Sequence, residues 1–276
     1  MTDLCGRERL WRVLHGQPVD RIPVSPFIHV NYVKEFFGTH DVDWAVRTPD
    51  VYRHFGFDLM HRNCTPAYDA LGPAGPQWEI EVACHQEGRD ETTVTTIHTP
   101  GGDVRCIEAL RWTYEYDAEA SVIEYPIKSE ADLTLFERYQ PPAAPTDTGI
   151  VARAKDAVGN DGLTAPWIQG AFNLVAFYYR RLDDLLMDAE LNPNFYARMM
   201  EYFLSRYRRF VDDLIAAGAD LLSYAGNIAN GKLVSPRFFR QHIAPFEREA
   251  VAYICLLYTS DAADDLLCVD LGGRRI

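Results

Sequence analysis

The fold class is decided by the stretch PNFYARMMEYFLSRYRRFVDDLIAAGADLLSY, residues 193–224 of the 276-residue chain. Its apolar residues recur every three or four positions, which predicts a helix over residues 193–217 with one apolar stripe facing the core. The stripe consists of Phe195, Met199, Phe203, Tyr207, Phe210 and Leu214. Gly218 suits the position after a helix end, and residues 219–224 predict a strand. A long helix that leads directly into a strand indicates an α/β protein.

Shorter segments upstream repeat this alternation of helix and strand. Buried strands are predicted at residues 21–27, 57–60 and 163–170. The segment 21–27 contains two prolines, which prevent full ladder pairing on both sides. Helices are predicted between and around the strands, at residues 8–15, 31–37, 43–55, 130–139, 150–158 and 182–191. Helices that alternate with strands favour crossover connections and a parallel sheet.

The middle of the chain has a different pattern. Residues 78–116 contain three runs that alternate in polarity or are rich in β-branched residues, the clearest of which is Thr92-Thr93-Val94-Thr95-Thr96-Ile97. Gly101 and Gly102 lie in a turn between two of the runs, where glycine allows a positive φ. We therefore expect an antiparallel β meander inserted between the second predicted strand and the helix at 130–139.

Composition excludes several classes of protein. The formal net charge is −13, which argues against a nucleic-acid surface because phosphate binding needs clustered positive charge. The chain has six cysteines, without a CxxC pair, a usage that fits a reducing compartment. No apolar run approaches the roughly 20 residues that span a bilayer. These features predict a cytoplasmic protein that has no membrane or nucleic-acid partner.

The last 22 residues, 255–276, differ in origin from the rest. Back-translation of Cys255-Leu256-Leu257-Tyr258-Thr259-Ser260-Asp261-Ala262-Ala263-Asp264 gives a string that resembles a transposase adapter of sequencing libraries. Residues 269–276 similarly resemble the flow-cell primer that follows this adapter. We therefore expect residues 255–276 to be a non-native tail, excluded from fold reasoning, and residues 1–254 to be the natural part of the chain.

The remaining evidence comes from an ordered set of short segments, at residues 7–10, 18–24, 125–133, 170–172, 185–188, 192–193, 217–220, 235–240 and 245–247. Together these segments resemble the uroporphyrinogen decarboxylase (URO-D) superfamily, which includes corrinoid-dependent methyltransferases. The resemblance implies a TIM (β/α)8 barrel. Because only four barrel strands are predicted, we expect residues 1–254 to be the amino-terminal part of one such barrel domain, truncated and inactive by itself, from an enzyme.

The superfamily has two main chemistries, and the residues bear on both. True decarboxylases carry an arginine-containing stretch after the first strand and an aspartate at the end of the second. Here residues 27–32 contain no arginine, and Asp58 lies near the start of the second predicted strand and does not end it. The methyltransferases hold zinc through a His-x-Cys motif and a later cysteine. Zinc keeps a thiol acceptor deprotonated. No His-x-Cys occurs in this sequence, and in the family the motif follows the helix that is predicted here within residues 236–254.

The resemblance therefore leaves three functions open. The first is methyl transfer linked to a corrinoid protein, with a zinc-activated acceptor; zinc and corrinoid are expected in the full-length parent, with no metal ligands visible in this chain. The second is a decarboxylase-like lyase of porphyrin and haem biosynthesis. The third is a non-catalytic barrel that only binds a small molecule.

Candidate site residues follow from barrel geometry, since active-site groups come from the carboxyl ends of the strands. His29 and His61 are candidates for acid–base catalysis. Arg62 suits a substrate carboxylate, or alternatively a salt bridge to a loop. The remaining candidate substrate-binding residues are Asn63, Gln169, Tyr224 and Asn227.

Overall fold

The computed structural model describes residues 3–258 and shows a mixed α/β protein. The helices are α1 Gly6–Leu14, α2 Val30–Phe37, α3 Trp44–Phe55, α4 Glu130–Tyr139, α5 Gly149–Val158, α6 Ala171–Tyr178, α7 Leu182–Leu191, α8 Pro193–Ala216, α9 Pro236–Phe238 and α10 Ala244–Tyr258, with a π-helical turn at Phe239–Ile243. The strands are β1 Leu59–His61, β2 Glu79–Glu87, β3 Asp90–Thr99, β4 Gly102–Trp112, β5 Ala118–Glu124, β6 Gly162–Thr164, β7 Trp167–Gln169 and β8 Ser223–Ala225.

The parallel strands form two short pairs, β1 with β6 and β7 with β8. The predicted strand at 163–170 is divided because Pro166 has no N–H to donate to a ladder. Contacts continue across the break, since Ala165 N donates to His61 O at 2.8 Å and Ser223 N donates to the carbonyl of Pro166 at 2.9 Å. Within residues 3–258 these strands do not close into a barrel.

The first predicted strand, residues 21–27, is not a strand in the structure. Pro23 and Pro26 remove two donors, and the segment instead follows β1 through isolated hydrogen bonds. Asp58 N donates to Val24 O at 2.8 Å, and Met60 N donates to the hydroxyl of Ser25 at 2.9 Å. The segment therefore occupies the neighbourhood of β1 without a ladder.

A four-stranded antiparallel sheet of order β2-β3-β4-β5 occupies the middle of the chain. It extends beyond the predicted 78–116, because β5 pairs with β4 through a bulge at Ile107 and Glu108. One face packs on α4, where the rings of Trp78 and Phe136 lie 4.9 Å apart in edge-to-face contact. The edge strand β2 is exposed along nearly its whole length.

The helix α8 carries the largest core. All six residues of the predicted stripe are buried, and α8 packs against α4, α6, α7 and α10. The sequence analysis missed α6, which is apolar nearly all round and therefore lacks the amphipathic pattern. The helix α10 continues through Tyr258; residues 259–276, most of the predicted non-native tail, lie outside the described residues.

Candidate functional site at the carboxyl ends of the parallel strands

The two faces of β1 have different surroundings. Leu59, His61 and Asn63 are buried, whereas Met60 and Arg62 are only half-buried. Alternate residues of a strand point to opposite faces, so Met60 and Arg62 share one face and His61 lies on the other. The first residue beyond the strand, Arg62, is thus the one at this end of β1 that solvent can reach.

The Arg62 cluster, defined as Arg62, Phe27, Trp167 and His29, lies at this strand end. The Arg62 guanidinium carbon is 5.9 Å from the ring centre of Phe27 and 5.7 Å from that of Trp167. The two rings meet edge-to-face at 5.6 Å, and His29 contacts Phe27 edge-to-face at 5.9 Å. Both rings attract the guanidinium through their negative faces.

No carboxylate pairs with Arg62 among residues 3–258, so the predicted salt bridge to a loop is not formed there. Its one hydrogen bond runs from Nη2 to the sulfur of Met60 at 3.3 Å, and thioether sulfur is a weak acceptor. Most of the donor capacity of Arg62 is therefore available to a ligand.

Among the predicted site residues, Asn63 supports the Arg62 cluster through the backbone and His29 belongs to it. The Asn63 amide nitrogen donates to Ile28 O at 2.8 Å and to the hydroxyl of Thr48 at 3.1 Å. His29 begins α2, where its Nδ1 accepts from Asn31 N at 3.3 Å while the ring stays exposed. Asn63 thereby fixes the backbone between Phe27 and His29, and His29 stays within reach of solvent.

His61 is fully buried beneath α3. Its Nε2 lies 2.8 Å from the carbonyl of Ala45 and donates to it, which leaves Nδ1 as an acceptor with no partner among the described residues. Burial lowers the pKa of His61 from 6.5 to about 4, so the ring is neutral at pH 7. The catalytic role predicted for His61 stays a prediction, and in this arrangement the ring is fully buried against α3.

A second polar group, the Glu247 pocket, lies at the ends of β7 and β8. Glu247 of α10 is 5% exposed and accepts hydrogen bonds from Ala171 N at 3.2 Å, Phe172 N at 3.0 Å and the Tyr224 hydroxyl. The two N–H groups open α6, whose amino-terminal end favours negative charge. Burial nevertheless raises the pKa of Glu247.

The predicted binding residues on this side are occupied by such contacts. Tyr224 donates to Glu247, and Asn227 accepts through Oδ1 from the Asn173 amide at 2.7 Å. The side-chain oxygen of Gln169 is buried with no partner in the described chain. Tyr224 and Asn227 therefore fasten the segment after β8 to α6 and α10, whereas Gln169 keeps a free acceptor.

Three participants escaped the sequence analysis, namely Phe27, Trp167 and Glu247. The period-two alternation of β7 would have pointed to Trp167, whereas Phe27 lies in the segment 21–27, which forms no strand and carries no such signal. Glu247 carries no such local signal, because it reaches the strand ends from a helix that is distant in sequence.

The features expected of zinc or porphyrinogen chemistry are not assembled in residues 3–258. No group of three or more His, Cys, Asp or Glu residues there could hold a metal ion. Asp58, 2% exposed, is bound by Arg9 at 2.7 Å, by Arg21 at 2.6 Å and by Val24 N at 2.9 Å. It is therefore a structural carboxylate.

No described helix combines the length and apolar character that crossing a bilayer requires.

Comparisons with known proteins gave a likeness of fold and a family match. A solved structure described as a methyltransferase from Methanosarcina mazei superposes with a TM-score of 0.56 at 15% sequence identity, covering 91% of this chain and 67% of that chain. None of the curated proteins matches this chain. The sequence model of the uroporphyrinogen decarboxylase (URO-D) family matches residues 106–259, more than half of the sequence. The chain therefore belongs to the uroporphyrinogen decarboxylase (URO-D) family.

Proposed function

We propose that this chain is part of a methyltransferase of the URO-D family that acts on a small molecule at the carboxyl ends of its parallel strands. The observation that carries the proposal is the fold shared with a methyltransferase along 91% of this chain. The placement of Asp58 agrees with it, because that carboxylate is held by two arginines and is not free to contact a porphyrinogen. Cysteine usage suits a cytoplasmic enzyme.

The proposal includes a barrel of which residues 1–254 form the amino-terminal part, with the sheet β2-β5 as an insertion. The order of parallel strands supports it, since β6 and β7 lie between β1 and β8 as consecutive segments do in a parallel barrel. Residues beyond this part would supply the zinc ligands. A corrinoid protein would deliver the methyl group, as the resemblance to the corrinoid-dependent methyltransferases implies.

The predicted site residues of this chain can be given separate roles in substrate binding and proton transfer. Arg62 offers a donor fork at the end of β1 that can orient an anionic substrate, whereas the free acceptor of Gln169 is buried. His29, an exposed histidine of the Arg62 cluster, is the proposed acid–base residue. Asn63, Tyr224 and Asn227 hold the surrounding backbone. No step through zinc follows from these residues.

The test begins with the uninterrupted gene at the source locus, sequenced across the codon for Ile254. The complete protein is then assayed for bound zinc and for thiol-dependent demethylation of methylcobalamin, followed by its absorbance change. Zinc binding together with demethylation is the expected result. Decarboxylation of a porphyrinogen without demethylation would replace the proposal with a lyase. If the complete protein neither binds zinc nor turns over either substrate, the remaining function is that of a non-catalytic binding protein.

A further inference from the structure

We propose that the Arg62 cluster is a binding site for a small organic acid, whose anionic head pairs with Arg62 while its apolar part lies against Phe27 and Trp167. The inference that this acid is the substrate rests on the proposed function. The inference that the Arg62 cluster binds such an acid can be tested by measuring affinity, without turnover. The proposal stands on the arrangement of charge, rings and access at the end of β1.

The charge at Arg62 lacks an anion within the described chain. Other arginines at interior positions of the fold are paired: Arg9 with Asp20 and Asp58, and Arg180 with Asp188. Arg62 is half-buried and has only the Met60 sulfur as a hydrogen-bond acceptor. A partly desolvated guanidinium without a carboxylate favours an anion from outside.

The flanking rings select for shape. Phe27 is 46% exposed and Trp167 is half-buried, so both present apolar surface beside the guanidinium. The backbone at each ring is held in place: the Tyr52 hydroxyl donates to the carbonyl of Pro26, and Trp167 N donates to the hydroxyl of Thr65 at 2.6 Å. Two adjacent rings on such a backbone suit a short alkyl chain better than a bare inorganic ion.

The planar fork of Arg62 also favours one kind of head group. Two parallel N–H donors match the two oxygens of a carboxylate, and a sulfonate offers a similar edge. His29 lies next to Phe27, and because its Nδ1 accepts from Asn31 N, its Nε2–H is the donor that can supply a further hydrogen bond. The site thus suits a mono-anion with a small apolar group.

The experiment titrates the purified 276-residue chain with butyrate, butanesulfonate, inorganic phosphate and neutral butanol, using calorimetry and tryptophan fluorescence. We expect butyrate and butanesulfonate to bind, and phosphate and butanol to bind at least about tenfold more weakly. Arg62→Gln is expected to weaken butyrate binding by about tenfold or more, since hydrogen bonds to charged groups are lost. Trp167→Phe is expected to retain binding and lose the fluorescence change.

Arg89→Gln is the matched control, because Arg89 also stacks on a tryptophan, Trp112, at 3.8 Å, but on the antiparallel sheet. Its butyrate affinity should equal that of the unmodified chain. Absence of butyrate binding in the unmodified chain, or equal losses in both arginine variants, would overturn the inference. Binding through Arg62 in a complete protein that transfers no methyl group would leave this inference standing and reject only the proposed function.

Discussion

The Asp58 network and the Arg62 cluster use arginine in opposite ways within one small region. In the Asp58 network, defined as Asp58, Asp20, Arg9 and Arg21, each guanidinium has at least one carboxylate within 2.7 Å. Burial raises the pKa of Asp58, but hydrogen bonds from Arg21, Val24 N and Arg9 outweigh it and hold that pKa below 3.8. Four residues later Arg62 has no carboxylate partner in residues 3–258. Charges that are paired internally hold the fold, and a charge left unpaired at a strand end is available for binding.

Asp58→Asn should give the largest loss of stability. The substitution keeps the shape but removes a buried charge that faces Arg9, whose side chain is 6% exposed. We expect the free energy of unfolding to fall by about 3–5 kcal/mol, as when one partner of a buried ion pair is removed. Urea denaturation at pH 7 measures it.

Asp50→Asn provides the control, because Asp50 also has two arginine partners, Arg47 and Arg53, but on the exposed surface of α3. That variant should change the free energy of unfolding by less than about 1 kcal/mol. Similar losses in Asp50→Asn and Asp58→Asn would show that burial does not distinguish the two sites.

His61→Gln should change the pH dependence of stability. The folded pKa of about 4 lies below the ordinary 6.5, so His61 contributes stability above pH 6.5 that is lost as the pH falls towards 4. Over that window the unmodified chain should lose up to about 3 kcal/mol more than His61→Gln. Denaturation midpoints at pH 4.5, 5.5 and 7 measure this difference. His29→Gln, which alters an exposed ring, should follow the unmodified chain; if it followed His61→Gln, the burial argument would fail.

Gly170→Ala tests how tightly the Glu247 pocket is closed. A Cβ at Gly170 would lie 2.8 Å from Oε2 of Glu247 and 2.9 Å from the carbonyl of Ala225. Because one neighbour is backbone, relief requires a shift of the chain, and we expect a loss of about 1–3 kcal/mol in the free energy of unfolding. Gly226→Ala has open space around the added carbon and should cost almost nothing. Equal effects of the two variants would indicate that the pocket accommodates the methyl group.

Several elements of this molecule were predictable from sequence because their signals are local. The stripe of α8 and the helix α4 follow from period and capping, and Arg62 follows from its position after a strand. The roles of His61 and Tyr224 could not be read from the strand-end rule alone, since the rule ignores which face of the strand a side chain occupies. The partners of Glu247 depend on how α10 packs, which no local pattern encodes.

Arg62→Gln should have the smallest effect on stability of these four variants, and it therefore tests most directly the contrast between the Asp58 network and the Arg62 cluster. The substitution removes two ring contacts and one weak hydrogen bond to sulfur, and it leaves no buried carboxylate unpaired. Exposed cation–π contacts contribute about 0.5–1 kcal/mol each, and removing an unpaired, partly desolvated charge offsets part of that loss. We therefore expect a change under about 1 kcal/mol in urea denaturation at pH 7. A loss as large as that of Asp58→Asn would make Arg62 a structural residue. A small change together with lost butyrate binding would mean that the charge at this strand end serves ligand binding more than folding, since a group kept for binding need not stabilise the fold.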